Sequence, residues 1–232
     1  MADLTKSLAA HPLFSGLSPG LLDELARSCR PRSLDHREKL WRVGDPATHF
    51  ALIQGGLVEI VRQAADGSEF IVALFGPRES VGDAAVLGRD RYPAEAVVAS
   101  DRADLIFVDA GPVLAALPTQ PEVSRALIRT LLSHTRALQE KIAVMSAGSV
   151  PKRLALLFLL LADRFGDDLA DGTVGIPVVL SRTELARLVG ATVETTIRTI
   201  SRWQKAGWIS TDGDGFVLRE AERLREVTRG QD

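Results

Sequence analysis

The chain has 232 residues, 46% hydrophobic and 25% charged, with a formal net charge of −2; this describes a globular protein with a core and excludes one coated in nucleic acid. Its longest apolar run, 154–162, is about half of the roughly 20 residues that cross a membrane, and no apolar signal-peptide segment opens the chain, so a cytoplasmic protein with no membrane partner is expected. Cys29 is the only cysteine, which excludes an internal disulfide, a zinc finger and a four-cysteine iron–sulfur cluster within one chain.

Residues 12–29 begin with a turn and continue as a helix that Ser18 can cap, with Pro19 at its first position. From about residue 32 to 109 the pattern changes to short strands, expected at 39–43, 49–54, 57–63, 69–75 and 104–108 and separated by Gly44–Asp45–Pro46, Gly55–Gly56 and Asp66–Gly67. An Asp-Gly pair between two apolar runs is a strong hairpin signal, and short strands at this spacing predict a small antiparallel barrel or roll.

Residues 122–147 contain neither Pro nor Gly and predict one long helix with Leu127, Leu131, His134, Leu138, Ile142 and Met145 near three-and-four spacing. A helix packed only on its own barrel could show this stripe. A stripe of about 26 residues outruns a small barrel, which favours a seam shared with a second copy and makes these six residues the expected dimer interface. Gly148–Ser149 breaks the helix, and Pro151 begins a second one over 151–165 that is apolar almost all round. A polar loop (166–175) and a short strand (176–180) follow.

The segment LSRTELARLVGATVETTIRTISRWQKAGWIS, residues 180–210, predicts two helices joined by a tight turn. Ser181 and Glu184 form a capping box, Gly190 supplies the left-handed residue of the turn, and Thr192 caps the second helix. Ile200 and Trp203 can face inward while Glu194, Thr195, Arg198 and Arg202 fall on the other side. Arg182, Arg187, Arg198, Arg202 and Lys205 stand against Glu184 and Glu194, a basic patch of the kind that meets phosphates, although a solvated helix face can carry the same charges. A hairpin is expected at 208–211 and 216–219 around the turn Asp212–Gly213–Asp214–Gly215, which makes the module a winged helix, and residues 221–229 close with a charged helix. No nucleophile–base set, phosphate loop, GxGxxG or metal-ligand cluster occurs, so no catalytic or metal-binding residue is expected. A ligand-binding module whose helix-turn-helix serves protein contacts is the alternative to a DNA reader.

The order of barrel, long helix and winged helix resembles the Crp/Fnr superfamily of bacterial transcription regulators over nearly the whole chain. HPLFSGLSPGLLDELA, GDPATHFALIQGGLVEI, VGDAAVL and the 180–210 segment carry the resemblance. It implies an α+β fold with an N-terminal cyclic-nucleotide-binding-like β-roll (1–118), a long dimerisation helix (119–148) and a C-terminal winged helix-turn-helix (149–232). It implies a homodimer on palindromic double-stranded DNA, with RNA polymerase as a further partner. Glu194 and Arg198 occupy the family's base-reading positions, and their chemistry suits that role, since Arg donates twice to guanine and a carboxylate accepts from cytosine N4. Val193 stands where the cyclic-AMP receptor has Arg and matches the Fnr-like branch. Ile197 departs from both branches and can pack on a thymine methyl, so a TTGA-like half-site with its outer base open is expected. Ser181, Arg182 and Thr192 take positions of phosphate contacts, which orient without specifying.

The effector pocket follows the family less closely. Gly82–Asp83 keeps the Gly-carboxylate pair, but Pro93 and Ala94 stand at the Arg-Ser positions that neutralise a cyclic phosphate, with Arg91 two residues earlier. Leu138 and Gln139 replace the pair that holds adenine. Cyclic AMP is therefore disfavoured, and the lone Cys29 excludes an oxygen-sensing cluster of the Fnr kind. Three readings stay open: a haem-dependent or nitric-oxide-responsive regulator, toward which RYPAEAVV and VETTIR lean; another small acid or metabolite; or no effector. His11, His36, His49 and His134 are the available axial ligands for a haem. The resemblance implies control by a population shift, with Gly148–Ser149 as hinge and the recognition helices set about 34 Å apart.

Overall fold

The computed structural model describes residues 2–63, 67, 69–88, 90–213 and 215–230. Two helices, α1 (Ala2–Ala10) and α2 (Pro19–Ala26), lead the chain; Ser18 caps the second by accepting from the Leu21 amide, with Pro19 in the first turn. Strands β1 (Cys29–Asp35), β2 (Lys39–Trp41), β3 (His49–Gly55), β4 (Val58–Gln63), β5 (Glu69–Phe75) and β6 (Ser80–Val81) follow. Helix α3 (Asp83–Gly88), strands β7 (Glu95–Val98) and β8 (Arg102–Asp109) and helix α4 (Ala110–Ala116) complete the roll.

Two four-stranded sheets make that roll, in the orders β1-β8-β3-β6 and β2-β7-β4-β5. The expected strands are present, and three more, β1, β6 and β7, were not legible. β1 reads CRPRSLD with a single buried residue, so it has no alternation to detect; it survives as an edge strand, where Pro31 costs no central ladder bond. The expected 39–43 strand stops at Trp41 before the Gly44 turn. Asp66 of the expected Asp66–Gly67 turn lies outside the described residues, as does Asp214 of the later one.

Apolar side chains facing between the sheets, among them Ala51, Ile53, Val58, Ala96, Val98 and Leu105, form one core. A second gathers Leu13, Phe14, Leu25, Phe50 and Val108 beneath the leading helices. Cys29 belongs to it; its Sγ–H donates to the Leu25 carbonyl, and burial pushes its thiol up to about 12.

Helix α5 (Pro121–Ser146) matches the expected long helix within one residue at each end. Helix α6 (Val150–Phe165) begins after Gly148–Ser149 with Pro in its first turn. Strands β9 (Asp167–Asp168) and β10 (Val174–Ile176), helices α7 (Arg182–Val189) and α8 (Val193–Lys205), strands β11 (Ile209–Asp212) and β12 (Gly215–Leu218), and helix α9 (Ala221–Arg229) follow. The strand expected at 176–180 lies earlier, because Pro177 cannot donate to the ladder that β10 forms with β12.

The chain divides into two compact units, Met1–Arg62 with Ala73–Ala137, and Gln63–Val72 with Leu138–Asp232, so the division falls within α5. In the second unit α6 is central, and α7, α8, α9 and β10 pack against it. Phe158 on α6 meets Phe216 at 5.0 Å and Trp203 at 6.4 Å between ring centroids, both edge to face, which pins helix α8 and the hairpin to one aromatic core.

Candidate nucleic-acid interface

Local chemistry determines the helix pair. Ser181 Oγ accepts from the Glu184 amide at 3.2 Å, and the Glu184 carboxylate accepts from the Ser181 amide at 2.7 Å, a reciprocal capping box worth about 1 kcal/mol. Gly190 ends α7 at φ +60°, the left-handed conformation that favours glycine, and Met145 packs over it, its Cε 2.7 Å from where a Cβ would stand. Thr192 Oγ1 then accepts from the Thr195 amide and donates to Thr195 Oγ1.

Helix α8 has two sharply different faces. Thr196, Thr199, Ile200 and Trp203 are buried, and the two threonine hydroxyls donate to the Thr192 and Thr195 carbonyls, so their polarity is satisfied within the helix. Val193, Glu194, Ile197, Arg198, Arg202 and Lys205 are exposed on the opposite side, with Ile197 45% accessible. Glu194 and Arg198 stand at i,i+4, yet neither side chain has an ion-pair or hydrogen-bond partner among the described residues. Thr195 is half-buried and Ser181 exposed. Arg182 lies half-buried with its guanidinium 5.7 Å from the Phe216 ring centroid, which ties the start of α7 to the hairpin.

The β-roll holds a cavity of about 140 Å³ lined in part by Trp41, Phe75, Gly82, Asp83, Tyr92 and His134. Trp41 and Tyr92 stack at 4.2 Å and 9°, and Gly82, at φ +90°, lies so close to the indole that a Cβ would come within 2.7 Å of it. Asp83 is buried; its carboxylate accepts from Ser80 Oγ–H and from the Ala84 amide, both at 2.9 Å. His134 Nε2–H donates to the Ser80 carbonyl at 2.9 Å and its Nδ1 lies 3.6 Å from Asp83 Oδ1.

Of the expected pocket residues, Gly82 and Asp83 line this cavity and Arg91, Leu138 and Gln139 do not. Arg91 is exposed and donates to the Gly44 carbonyl at 2.6 Å, held there by the bridge between Pro46 and Arg91, while Leu138 and Gln139 are exposed on α5. Pro93 and Ala94 line the cavity in the places expected for a phosphate-binding pair, and among the described residues no Lys or Arg lines it.

The Crp-like helix-turn-helix domain matches residues 152–227, and the cyclic nucleotide-binding domain matches residues 31–119. The chain belongs to the Crp/Fnr superfamily. It is a DNA-binding transcription regulator of that type. Similar regulators include the CRP-like cAMP-activated global transcriptional regulator of Mycobacterium tuberculosis, 27% identical over 96% of this chain and 98% of that protein. The anaerobic regulatory protein of Bacillus subtilis is 26% identical over 94% of this chain and 92% of its own length. In fold, the regulator is similar to FixK2 from Bradyrhizobium japonicum, with a TM-score of 0.73 and 21% identity over 85% of this chain and 96% of that one. These relatives include both cyclic-AMP-activated and anaerobic types.

In this Crp/Fnr regulator, α5 uses its two faces differently from the stripe read in the sequence. Leu127 is 3% exposed within the roll's own core, and His134 is directed at Ser80, so both are engaged within their own chain. Ile128, Leu132 and Ile142 are exposed, with Leu131, Leu138 and Met145 beside them. With Thr135 and Gln139 they follow the alternating four-and-three spacing of a coiled-coil seam. The other histidines are engaged as well. Buried His11 lies 3.3 Å from the Glu79 carbonyl, His36 lies 3.2 Å from the Ser100 carbonyl, and His49 packs among Trp41, Tyr92 and Phe107.

Proposed function

We propose that two copies of the regulator pair through the outer face of α5 and place one α8 each in successive major grooves of a palindrome with TTGA-like half-sites. Arg198 donates to guanine O6 and N7, Glu194 accepts from cytosine N4, and Ile197 packs on a thymine methyl. Ser181, Thr192, Thr195, Arg182 and Arg202 border that face and would meet the backbone, where contacts orient the protein without reading sequence. The observation that carries this reading is the uncompensated pair: Glu194 and Arg198 are exposed one turn apart and bonded to nothing described. On a solvated face they would serve each other as an i,i+4 ion pair.

The cavity supports a compact signal. At about 140 Å³ it is well below the ~300–1,000 Å³ of typical ligand sites, and no described residue lining it neutralises a phosphate. Haem does not fit the residues present: His134, the histidine at the cavity, is bonded to Ser80, and the Trp41–Tyr92 stack occupies the space beside it. RNA polymerase is the further partner on this reading.

Arg198→Ala tests it. On a duplex with two inverted TTGA half-sites, fluorescence anisotropy should show Kd rising about 5- to 150-fold for each half-site, the equivalent of about 1–3 kcal/mol per Arg198 lost, with weaker discrimination at the guanine. Unchanged affinity would remove the base-reading assignment and favour a module that docks on protein.

A further inference from the structure

The carbonyl end of α7, adjoining the helix-turn-helix turn, is held by two cations that come from outside the motif. Lys141 on α5 donates through Nζ to the Leu188 carbonyl. Arg153 on α6 donates through Nη1 to the Val189 carbonyl at 3.0 Å and to the Gly190 carbonyl at 3.3 Å. The end of a helix leaves its last carbonyls without intrahelical partners and carries partial negative charge, so cations are the donors suited to this position. Through Nε the same Arg153 also holds the Gly148 carbonyl at 2.8 Å. Met145, one turn beyond Lys141 on the same face of α5, fills the space above Gly190. Three consecutive carbonyls and the glycine of the turn are thus gripped from α5 and α6, all within the Leu138–Asp232 part of the second compact unit.

We propose that Lys141 and Arg153 are positioning residues for DNA readout: they clamp the carbonyl end of α7 to the last turns of α5 and so set the angle at which α8 is presented. The clamp rests on the DNA-reading proposal above and extends it to the residues that aim the reader. Since Arg153 spans Gly148 as well as α7, it ties the Gly148–Ser149 junction to the helix-turn-helix, and a change in the last turns of α5 reaches α8 through the clamp.

A clamp of this kind makes a specific demand. One half-site can be read by one α8 whatever its angle, whereas two half-sites require both helices at the correct angle together. The test uses the full chain as wild type, Lys141→Met, Arg153→Met, the double variant, and the conservative Lys141→Arg and Arg153→Lys. Each is titrated against a duplex with two inverted TTGA half-sites and one with a single half-site. The double variant should lose at least about 10-fold on the first duplex and less than about 2-fold on the second, with the conservative variants recovering most of the loss. Hydrogen exchange of the free protein gives an independent reading, because the Gly190 and Ala191 amides both donate to the Ala186 carbonyl. In the double variant these two amides should exchange at least about 10-fold faster, with the β11–β12 amides unchanged.

Unchanged exchange at Gly190 and Ala191 overturns the clamp. So does an unchanged ratio between the two duplexes where wild type shows a preference. Equal loss on both duplexes with faster exchange throughout β11–β12 means the residues merely keep the module folded, and this too overturns it. If wild type does not distinguish the duplexes, the dimeric reading has failed, and the exchange result alone decides the clamp.

Discussion

Lys141 illustrates how one residue can be both a contact and a titrating group. Burial pulls its ammonium down from 10.5 to about 8. Between those values the unfolded chain holds a proton that the folded chain has released, so Lys141 adds stability as pH rises from 8 toward 10.5 and withdraws it as pH falls through 8. The slope is at most about 1.4 kcal/mol per pH unit. Cys29 acts in the opposite sense: its thiol is raised from 9.0 to about 12, so stability falls above pH 9 as the unfolded chain ionises first. Comparison with Lys141→Met separates the two. Urea unfolding at about pH 7.5, 8.5 and 9.5 should show the difference, wild type minus variant, growing with pH; a flat difference would mean the amine is not buried. The neutral amine still has N–H groups to offer Leu188, so the contact survives the titration. None of this was legible in the sequence, where Lys141 reads as one more charge on a long helix. The signal available was its place on the inward stripe with Thr130, His134, Ala137 and Val144.

At the scale of elements, local patterns specified most of the structure. Ser18, Ser181, Thr192 and Gly190 mark helix ends that the structure keeps, because capping depends on neighbours three residues away and on little else. Period alone could not tell the two faces of α5 apart, since both carry apolar residues at helical spacing. Leu127 and His134 were taken up by the chain's own roll, while Ile128, Leu132 and Ile142 were left outside. That outer row predicts the effect of charge. Leu132 and Ile142 are 64% and 65% exposed, so Leu132→Glu with Ile142→Glu should cost the single chain little stability. In sedimentation the pair should give the mass of one chain, and binding to the two-half-site duplex should fall to the level of a single half-site. A double variant that still sediments as a dimer would place the seam elsewhere.

For the whole molecule, the order of roll, long helix and winged helix was readable because each part announces itself in a different pattern: turns with short apolar runs, an unbroken helical stretch, and a capped helix pair. The cavity was only half readable. Gly82 and Asp83 could be placed from a short segment, but the Trp41–Tyr92 stack joins residues from distant strands, and Arg91 was carried outward by its bridge to Pro46. This arrangement predicts the response to a cyclic nucleotide. With no Lys or Arg among the described residues that line the cavity, and the aromatic stack at its wall, millimolar cyclic AMP should change the affinity of the regulator for its duplex by less than about 2-fold in anisotropy titrations. A rise of about 10-fold would show that the stack opens and that a distant group serves the phosphate.

Cys29 has one more consequence. A thiol raised to about 12 and turned inward toward Leu25 is a poor nucleophile at neutral pH, and it is the only one the sequence contains. The natural chain is therefore almost silent toward maleimides and spin labels. A cysteine introduced at exposed Lys205, at the end of α8, would accept a probe selectively, so that the separation of two recognition helices could be measured by spectroscopy in solution, without first rebuilding the protein to remove its own thiol.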